Sequence, residues 1–386
     1  QSRTGVGKTL LAEQIFSTFE GARIFKVQAS KEQQPDTYFG GLDIEQLKAG
    51  LIFHNTHGSL VESEFGFIDE IFDANDFTLR ALLSLLNERA LVRGVQYKQA
   101  SIHTVIAATN YLRISEVTEA ILDRFLYKSI ILPDKNPYVQ YRIAQQYLVY
   151  GGGTLPVTRK MSFATLQFLN GIITGKNPAH TITITPDVLY FSNLVIRHYE
   201  YIRNRSIREH TRTPQGSSGQ DFYVSPRTQA KSLDLLRALA LMNGRTTVLM
   251  EDVSRLYLIF TTLGMDDERQ MFAKSYTTLV NTLSVSNGFD QLKVLLGFAS
   301  LIEDLRLNPR LLEQPLSELQ TSPIRRTLLD WVKNVFSGAG DQADSNKKIL
   351  ENFLREFIPV SDEIRELKQN LEKELQIVLR AELGEE

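Results

Sequence analysis

The chain has 386 residues, of which 42% are hydrophobic, so it can bury a sizeable core, and its length predicts two or three domains. Its 43 basic and 45 acidic side chains nearly cancel, which argues against a global positive field that would recruit nucleic acid or an anionic membrane and leaves open only a local basic patch. The absence of cysteine excludes disulfides and thiolate chemistry, and without a run of about 18 apolar residues or an N-terminal signal core we expect a cytoplasmic protein.

The first predicted element is a phosphate-binding loop of the pattern GxxxxGK[ST]. Its end, Gly7-Lys8-Thr9, fits the pattern, but Ser2 occupies the position of the first glycine. Either serine is tolerated there, or the residues just upstream are not contiguous with these. A buried strand normally precedes such a loop, so we expect one upstream of Gln1 to complete the sheet.

A helix that begins at Thr9 follows the loop, because apolar residues recur at helical spacing from Leu10 to Phe19. Its N-terminus would face the loop, where backbone N–H groups point inward, Lys8 contacts the β and γ phosphates and the Thr9 hydroxyl reaches magnesium. The GKT run alone is only moderately specific, so the later motifs decide. The predicted ATP-binding residues are Thr4, Gly5, Val6, Gly7, Lys8, Thr9 and Leu10.

Two strands are predicted next, over residues 23–27 and 65–68, and the second ends in Asp69-Glu70. A buried parallel strand of this pattern, a Walker B strand, delivers two carboxylates at its carboxyl end, where open α/β sheets bind ligands. We expect Asp69 to hold Mg²⁺, directly or through water, and Glu70 to polarise the attacking water. The alternative is a strand end followed by an N-capping acid, and the upstream GKT favours the Walker B interpretation.

The next segment predicts a helix that packs on the sheet and then a hairpin. The helix ends at Asn87-Glu88-Arg89, and Gly94 turns the hairpin. One apolar stripe, at helical spacing, is expected to be buried. Its members are Leu79, Leu82, Leu83 and Leu86.

Three runs between Tyr38 and Gly94 resemble the RavA-like members of the MoxR family of AAA+ ATPases: FGGLDIEQLKAG, HGSLVESEFGFIDEIFDAND and LLSLLNERALVRG. The resemblance covers roughly residues 1–260. It implies an α/β fold, with a P-loop AAA+ core of parallel strands flanked by helices, an all-helical lid and a helical C-terminal extension. It also implies a homo-oligomeric ring, expected to be a hexamer.

Within this resemblance, the segment 42–60 is similar to an insertion that projects towards the central pore of the ring. An ordinary exposed hairpin explains the same residues equally well. Neither His54 nor His57 has a partner that suggests a metal site.

Two further residues acquire roles from the resemblance. Asn110 ends the strand predicted over 104–110 and matches sensor 1, which contacts the γ-phosphate or the attacking water, although an Asn in a turn after a strand is common. Arg124 stands where the family has its arginine finger, a charge that completes the site of a neighbouring subunit. In isolation, a surface ion pair of Arg124 with Asp123 or Glu119 is a plausible alternative, and the resemblance favours the arginine finger.

The last motif is Ser225-Pro226-Arg227 at the start of a predicted helix, which resembles sensor 2. Ser225 as N-cap and Pro226 at the first helical position explain the local structure without any function. The phosphate-contacting role of Arg227 therefore rests on the resemblance. In clades with insertions before this helix, the lid is displaced and the arginine can serve a neighbouring site.

The predicted domains are an AAA+ core over 1–133, a lid over 134–262 and a helical extension over 263–386. The lid contains a polar loop, 211–220. In the extension, residues 337–346 are expected to be a flexible linker, and 362–383 an amphipathic helix that packs on its own domain or forms a coiled-coil contact. A buried stripe is predicted for Leu292, Leu295, Phe298, Leu301, Ile302 and Leu305.

These features predict an ATP hydrolase that uses ATP and Mg²⁺ to remodel a protein partner. The resemblance suggests a von Willebrand A-type partner, or a client that is loaded with a metal or cofactor. Ser2 motivates the main alternative, a nucleotide-gated scaffold with slow or no hydrolysis. A nucleic-acid motor is disfavoured by the charge balance.

Overall fold

The computed structural model describes residues 1–94, 96–112, 115–151, 153–210, 221–260, 266–313 and 342–381. The chain divides into two compact units. The first contains residues 1–182, 224–244 and 256–269, and the second contains 183–223, 245–255 and 270–386. The boundaries predicted at 133 and 262 stay predictions.

The first unit is built on a parallel sheet of three strands in the order β2-β3-β6. Strand β2 spans Ile24–Gln28, β3 spans Phe65–Asp69 and β6 spans Thr104–Ala107. The central strand, β3, is buried from Phe65 to Ile68, as expected when a strand is covered on both faces. All three predicted strands are present, although β6 ends three residues earlier than expected.

Short strands and a hairpin complete the strand content of the described residues. Strand β1 (Phe19–Glu20) pairs in parallel with β7 (Met161–Ser162). Strands β4 (Ala90–Arg93) and β5 (Gln96–Gln99) form the predicted antiparallel hairpin. Gly94 turns it with a φ of 59°, a left-handed conformation that favours glycine.

The helices of the first unit flank these strands: α1 (Lys8–Ser17), α2 (Asp36–Phe39), α3 (Ile44–Lys48), α4 (Asp76–Glu88), α5 (Glu116–Arg124), α6 (Pro137–Tyr150), α7 (Phe163–Ile173), α9 (Pro226–Met242) and α10 (Tyr257–Phe260). This arrangement confirms the predicted α/β fold. Among the described residues, no helix is both long enough and apolar enough to cross a membrane.

The buried face of α1 differs from the apolar spacing that was used to predict this helix. Ala12 and Phe16 are the buried residues, and the Phe16 ring stacks on Phe65 of β3 with 5.1 Å between centroids. Leu11 and Ile15 instead border an apolar cavity of about 220 Å³. Phe19 lies beyond the helix, in β1. Contact with the sheet, which the spacing does not specify, selects the face.

Helix α4 begins at the N-cap Asn75, whose side chain accepts a hydrogen bond from the Thr78 N–H at 2.8 Å. Its buried stripe was predicted only in part. Leu79 and Leu82 are buried as expected, whereas Leu85 replaces the predicted Leu83 and Leu86, which are half-buried. The buried leucines are therefore spaced three residues apart. The Asn75 side-chain amide also donates to the carbonyls of Lys31 and Gln33.

The second unit is helical in its described residues: α8 (Pro186–His210), α11 (Asp266–Ser284, whose first turn belongs to the first unit), α12 (Gly288–Leu307), α13 (Gln342–Glu356) and α14 (Asp362–Ala381). All six residues of the stripe predicted on α12 are buried. Helix α14 packs on α12 of the same chain, which favours the packing alternative over a coiled-coil contact.

Two predicted segments lie partly or wholly outside the described residues. The polar loop 211–220 is one of them. The predicted linker 337–346 overlaps α13, which begins at Gln342, and its first residues lie outside the described part of the chain.

Candidate functional site

The N-terminal loop brings free backbone donors to the start of α1. Gly5 and Gly7 have φ values of 80° and 86°, and a Cβ at either position would meet no other atom, so backbone conformation and not crowding requires glycine there. Gly7 is the N-cap of α1 and provides no side-chain cap, so the N–H groups of the first helical turn remain available. A helix N-terminus of this kind attracts phosphate.

Ser2 fits the loop without strain. It is buried, its N–H donates to the Thr109 carbonyl at 3.1 Å, and its carbonyl accepts from Lys8 Nζ at 3.2 Å. Among the described residues, non-glycine left-handed backbone occurs at Glu70, Arg89 and Asn287 and not at Ser2. The first position of the loop pattern therefore does not require glycine in this chain.

The two residues predicted to hold magnesium meet at the carboxyl end of β3. Thr9 Oγ1 donates a hydrogen bond to Asp69 Oδ2 at 3.2 Å. Hydroxyl and carboxylate oxygens are the ligands that Mg²⁺ prefers, and it usually keeps several waters as well. The pair therefore fits a magnesium ion at the mouth of the phosphate loop.

Lys8, Glu70 and Asn110 converge beside this pair. The Asn110 backbone N–H donates to Glu70 Oε2 at 2.9 Å, and the Asn110 side-chain amide donates to Oε1. Lys8 Nζ donates to Asn110 Oδ1 and lies 3.8 Å from Glu70 Oε1. The Lys8 and Glu70 side chains are only 11% and 13% exposed, so their charges compensate each other in a poorly solvated position.

The local backbone explains how Glu70 enters this group. Its φ of 50° is left-handed, which turns the chain sharply after β3, and its N–H donates to the Asp69 carboxylate at 3.0 Å. Strained backbone of this kind clusters at functional sites. Glu70 is thereby aimed at the end of the neighbouring strand β6, where Asn110 follows.

The two predicted arginines, Arg124 and Arg227, both lie next to Asp123, in the last turn of α5. Arg124 Nη1 donates to the Ala120 carbonyl at 2.9 Å and lies 3.7 Å from Asp123 Oδ2, so the ion pair offered as the alternative interpretation is present. Arg227, in the first turn of α9, donates from Nη1 to the same Asp123 oxygen at 3.1 Å. The recorded polar contacts of both arginines, within the described part of the chain, do not include Lys8, Glu70 or Asn110.

Sequence reasoning missed the connection that Asp123 makes. Ser225 caps α9 and also donates to Asp123 Oδ1 at 2.7 Å. More than 100 residues separate these partners in the chain, so no local pattern indicates the contact. A third cation is nearby: burial lowers the pKa of the Lys128 ammonium, and the charges of Asp123 and Glu268 oppose that shift.

The segment 42–60 forms an antiparallel bridge between Leu42 and His54 that encloses α3. Ile44 and Leu47 of this helix are exposed. His54 Nδ1 contacts the Gly40 carbonyl at 3.2 Å. No cluster of three or more potential metal ligands occurs in the part of the chain that the structure describes.

Comparisons with known proteins bear on this site. Residues 2–140 match the family described as the MoxR domain in the MoxR-vWA-beta-propeller ternary systems, and residues 201–268 match an AAA lid domain. A Cytophaga hutchinsonii crystal structure, provisionally described as an ATPase, is similar with a TM-score of 0.51 and 17% identity, covering 72% of this chain and 83% of that chain. At this identity the similarity concerns the fold alone.

Two uncharacterized proteins of Methanocaldococcus jannaschii are also similar. One is 26% identical over 260 residues, which are 66% of this chain and 60% of the relative. The other is 34% identical over 128 residues, which are 33% of this chain and 34% of the relative. The matched part therefore spans less than two thirds of either relative.

Proposed function

The chain carries a MoxR-family AAA+ ATPase domain with an AAA lid, and we propose that it hydrolyses ATP in a homo-oligomeric ring to remodel a protein partner. The observation that carries this proposal is the convergence of Lys8, Glu70 and Asn110 beside the Thr9–Asp69 pair. Each of these residues has the chemistry that phosphoryl transfer to water requires.

Nucleotide binding redistributes the contacts of Lys8. The N–H groups of the loop and of the first turn of α1 bind the phosphates, and Lys8 exchanges Asn110 and Glu70 for the β- and γ-phosphate oxygens. Thr9 and Asp69 would hold magnesium, which would supply positive charge to neutralise the phosphates. The departure of Lys8 frees Asn110 Oδ1 to accept a hydrogen bond from the attacking water.

Glu70 is the general base in this proposal. Its carboxylate is held by the two donors of Asn110, so it is already oriented when water arrives, and it accepts the proton that the water loses. Asn110 therefore both orients the base and helps to position the water.

Arg124 acts as an arginine finger on the nucleotide of the adjacent subunit in a ring that we propose to be a hexamer. Among the described residues its polar contacts are with Asp123 and Ala120 and not with the phosphate loop, which supports action in trans. Arg227 shares Asp123 with Arg124, which supports the same assignment for sensor 2.

The partner that we propose is a protein with a von Willebrand A domain, supported by the description of the family that residues 2–140 match. Ser2, at the position of the first loop glycine, was the reason for considering a scaffold with slow or no hydrolysis. Its backbone conformation is ordinary and its carbonyl accepts a hydrogen bond from Lys8, which supports hydrolysis over the scaffold alternative. An affinity pull-down with a Glu70→Gln chain, which we expect to hold ATP, would identify the partner.

Steady-state ATP turnover of the parent and of Glu70→Gln tests the proposal. We expect the variant to bind ATP and to hydrolyse it at least about a hundredfold more slowly, because an amide cannot accept the proton from water. Glu13→Gln, which alters an exposed carboxylate paired with Lys26, is the matched control. Turnover of Glu70→Gln within a few-fold of the parent would contradict the assignment of the base, and an inactive parent would favour the scaffold.

A further inference from the structure

Asp123 joins the last turn of α5 to the first turn of α9. Its Oδ1 accepts a hydrogen bond from Ser225 at 2.7 Å, and its Oδ2 accepts one from Arg227 at 3.1 Å. The same Oδ2 lies 3.7 Å from Arg124 Nη1. One carboxylate thus contacts both arginines and the residue that begins the helix of Arg227.

The contact is built into the start of α9. The Ser225 hydroxyl donates its proton to Asp123, and its oxygen accepts the Thr228 N–H at 3.2 Å and lies 3.0 Å from Thr228 Oγ1. The cap that sets the direction of α9 is therefore also a ligand of Asp123. Pro226 at the first helical position places Arg227 in the turn that faces the same carboxylate.

The two arginines that contact Asp123 carry more positive charge than its single carboxylate compensates. Arg124 and Arg227 share one carboxylate, and Arg124 Nε is buried without a hydrogen-bond acceptor among the described residues. The side chains of Asp123 and Arg124 are 32% and 23% exposed, so solvent screens this excess only in part. A second anion would satisfy it.

We propose that Asp123 is a positioning residue that presents Arg124 and Arg227 as a pair to the terminal phosphate bound by the adjacent subunit. This inference rests on the proposed function, because it requires an arginine finger that acts in trans. Both side chains are long and flexible, and a carboxylate that binds both restricts their conformations before the phosphate arrives. A misplacement of about 1 Å can lower a rate about a hundredfold, so loss of this order is the expected effect of removing the carboxylate.

Mixed rings test the proposal. An Arg124→Ala chain has a sound phosphate loop but no finger, and a Glu70→Gln chain has a finger but cannot hydrolyse, so mixing them should restore activity that neither shows alone. In these rings the Glu70→Gln chain is the donor of the arginine finger. The test uses a donor chain that carries both Glu70→Gln and Asp123→Asn. The Asp123→Asn substitution keeps the shape of the side chain and removes its charge. We expect this donor to restore about a hundredfold less activity than the Glu70→Gln donor.

Controls separate positioning from folding. The donor Glu70→Gln with Asp362→Asn changes a carboxylate that is 87% exposed, and should restore as much activity as Glu70→Gln alone. Size analysis confirms that rings form, and co-purification of the two differently tagged chains confirms that the rings are mixed. If Asp123→Asn does not fold, Ser225→Gly removes one ligand of the carboxylate at a small cost in capping, and should lower restored activity in the same direction.

The outcomes are distinct. Full restoration by the Asp123→Asn donor, in confirmed mixed rings, overturns the proposal. Equal losses when Asp123→Asn is placed on either the donor or the Arg124→Ala chain indicate a structural role and overturn it as well, whereas a larger loss on the donor supports it. If the Glu70→Gln and Arg124→Ala chains restore no activity, the finger in trans is refuted, and this role of Asp123 with it.

Discussion

Asn110 donates two hydrogen bonds to the carboxylate of Glu70, one from its backbone N–H at 2.9 Å and one from its side-chain amide. The contact follows from the sheet, because β3 and β6 are adjacent parallel strands in which Ile68 pairs with Ala107. The residues that follow the two strands therefore emerge at the same edge. The pairing register of β3 and β6 therefore holds Glu70, the base of the proposed reaction, next to Asn110, the residue that orients it.

Asn110→Ala should lower ATP turnover about a hundredfold while nucleotide binding stays within a few-fold of the parent. The substitution removes a side-chain donor to Glu70 and the acceptor proposed for the attacking water, and a reacting group misplaced by about 1 Å can cost about a hundredfold in rate. Turnover and calorimetric binding should be measured together, with the exposed Asn87→Ala as control. A loss of binding equal to the loss of turnover would contradict this role.

Lys8→Ala should abolish nucleotide binding while the chain still folds, with lower stability because Glu70 loses the charge that compensates its own. Lys8 makes its polar contacts with Ser2, Asn110 and Glu70, at the phosphate loop and not in an apolar cluster. Calorimetric titration with ATP and Mg²⁺ gives the binding constant, and circular dichroism reports the fold. Lys26→Ala, which removes a half-exposed lysine paired with Glu13, is the control. Unchanged binding by Lys8→Ala would refute the phosphate-loop assignment.

The carboxylates and the amide of the candidate site could be predicted from the sequence because Asp69 ends β3, Glu70 follows it, and Asn110 follows β6. A parallel strand delivers whatever comes next to one edge of the sheet, so Asp69, Glu70 and Asn110 could be placed without coordinates. The contact between Thr9 and Asp69 follows in the same way, since the loop and β3 end at that edge.

The remaining features depend on tertiary contacts that no local pattern encodes. Spacing predicted helix α1, but contact with Phe65 decided that Phe16 and not Leu11 is buried. The contact of Asp123 with Ser225 and Arg227 joins positions that are more than 100 residues apart. The sequence indicated the Ser225 cap and the Arg124–Asp123 ion pair separately. It did not indicate that Ser225 and Asp123 are in contact.

Gly40→Ala should destabilise the first unit by about 2 kcal/mol or more. Gly40 has a φ of 97°, and a Cβ there would lie 1.9 Å from the backbone oxygen of Asn55, so both strain and a clash oppose the substitution. The adjacent Gly41→Ala is the matched control, since a Cβ there meets no atom within 4 Å. Urea-induced unfolding measures both, and equal stabilities of the two variants would contradict the close approach of residues 40 and 55.

Asp252→Asn should destabilise the second unit at neutral pH by about 2 kcal/mol, since it breaks a nearly buried, bidentate ion pair with Arg245. Burial opposes ionisation of Asp252, but the hydrogen bonds from Arg245 and the Leu249 N–H outweigh it and lower its pKa below the ordinary value of 3.8. The depressed folded-state pKa gives stability that is present above pH 3.8 and is lost as the pH falls through that lower value.

Unfolding free energies measured from pH 7 downwards check the sign. The difference between the parent and Asp252→Asn should shrink as the pH falls below 3.8. The exposed Asp362→Asn serves as the control and should show little pH-dependent difference from the parent. A difference that grows on acidification would mean that Asp252 is not stabilised in its charged form.

Hydrolysis should depend on assembly, because the Lys8–Glu70–Asn110 group of one chain makes no recorded contact with Arg124 or Arg227 in the described residues. Specific activity should therefore rise with protein concentration as rings form.

Arg124→Ala should still bind ATP and assemble, yet turn over about a thousandfold more slowly at every concentration, as expected for an arginine finger. Arg142→Ala, which changes an exposed arginine of α6, is the control. If specific activity does not change with concentration while size analysis shows rings forming, each chain completes its own site and another residue must supply the charge assigned to Arg124.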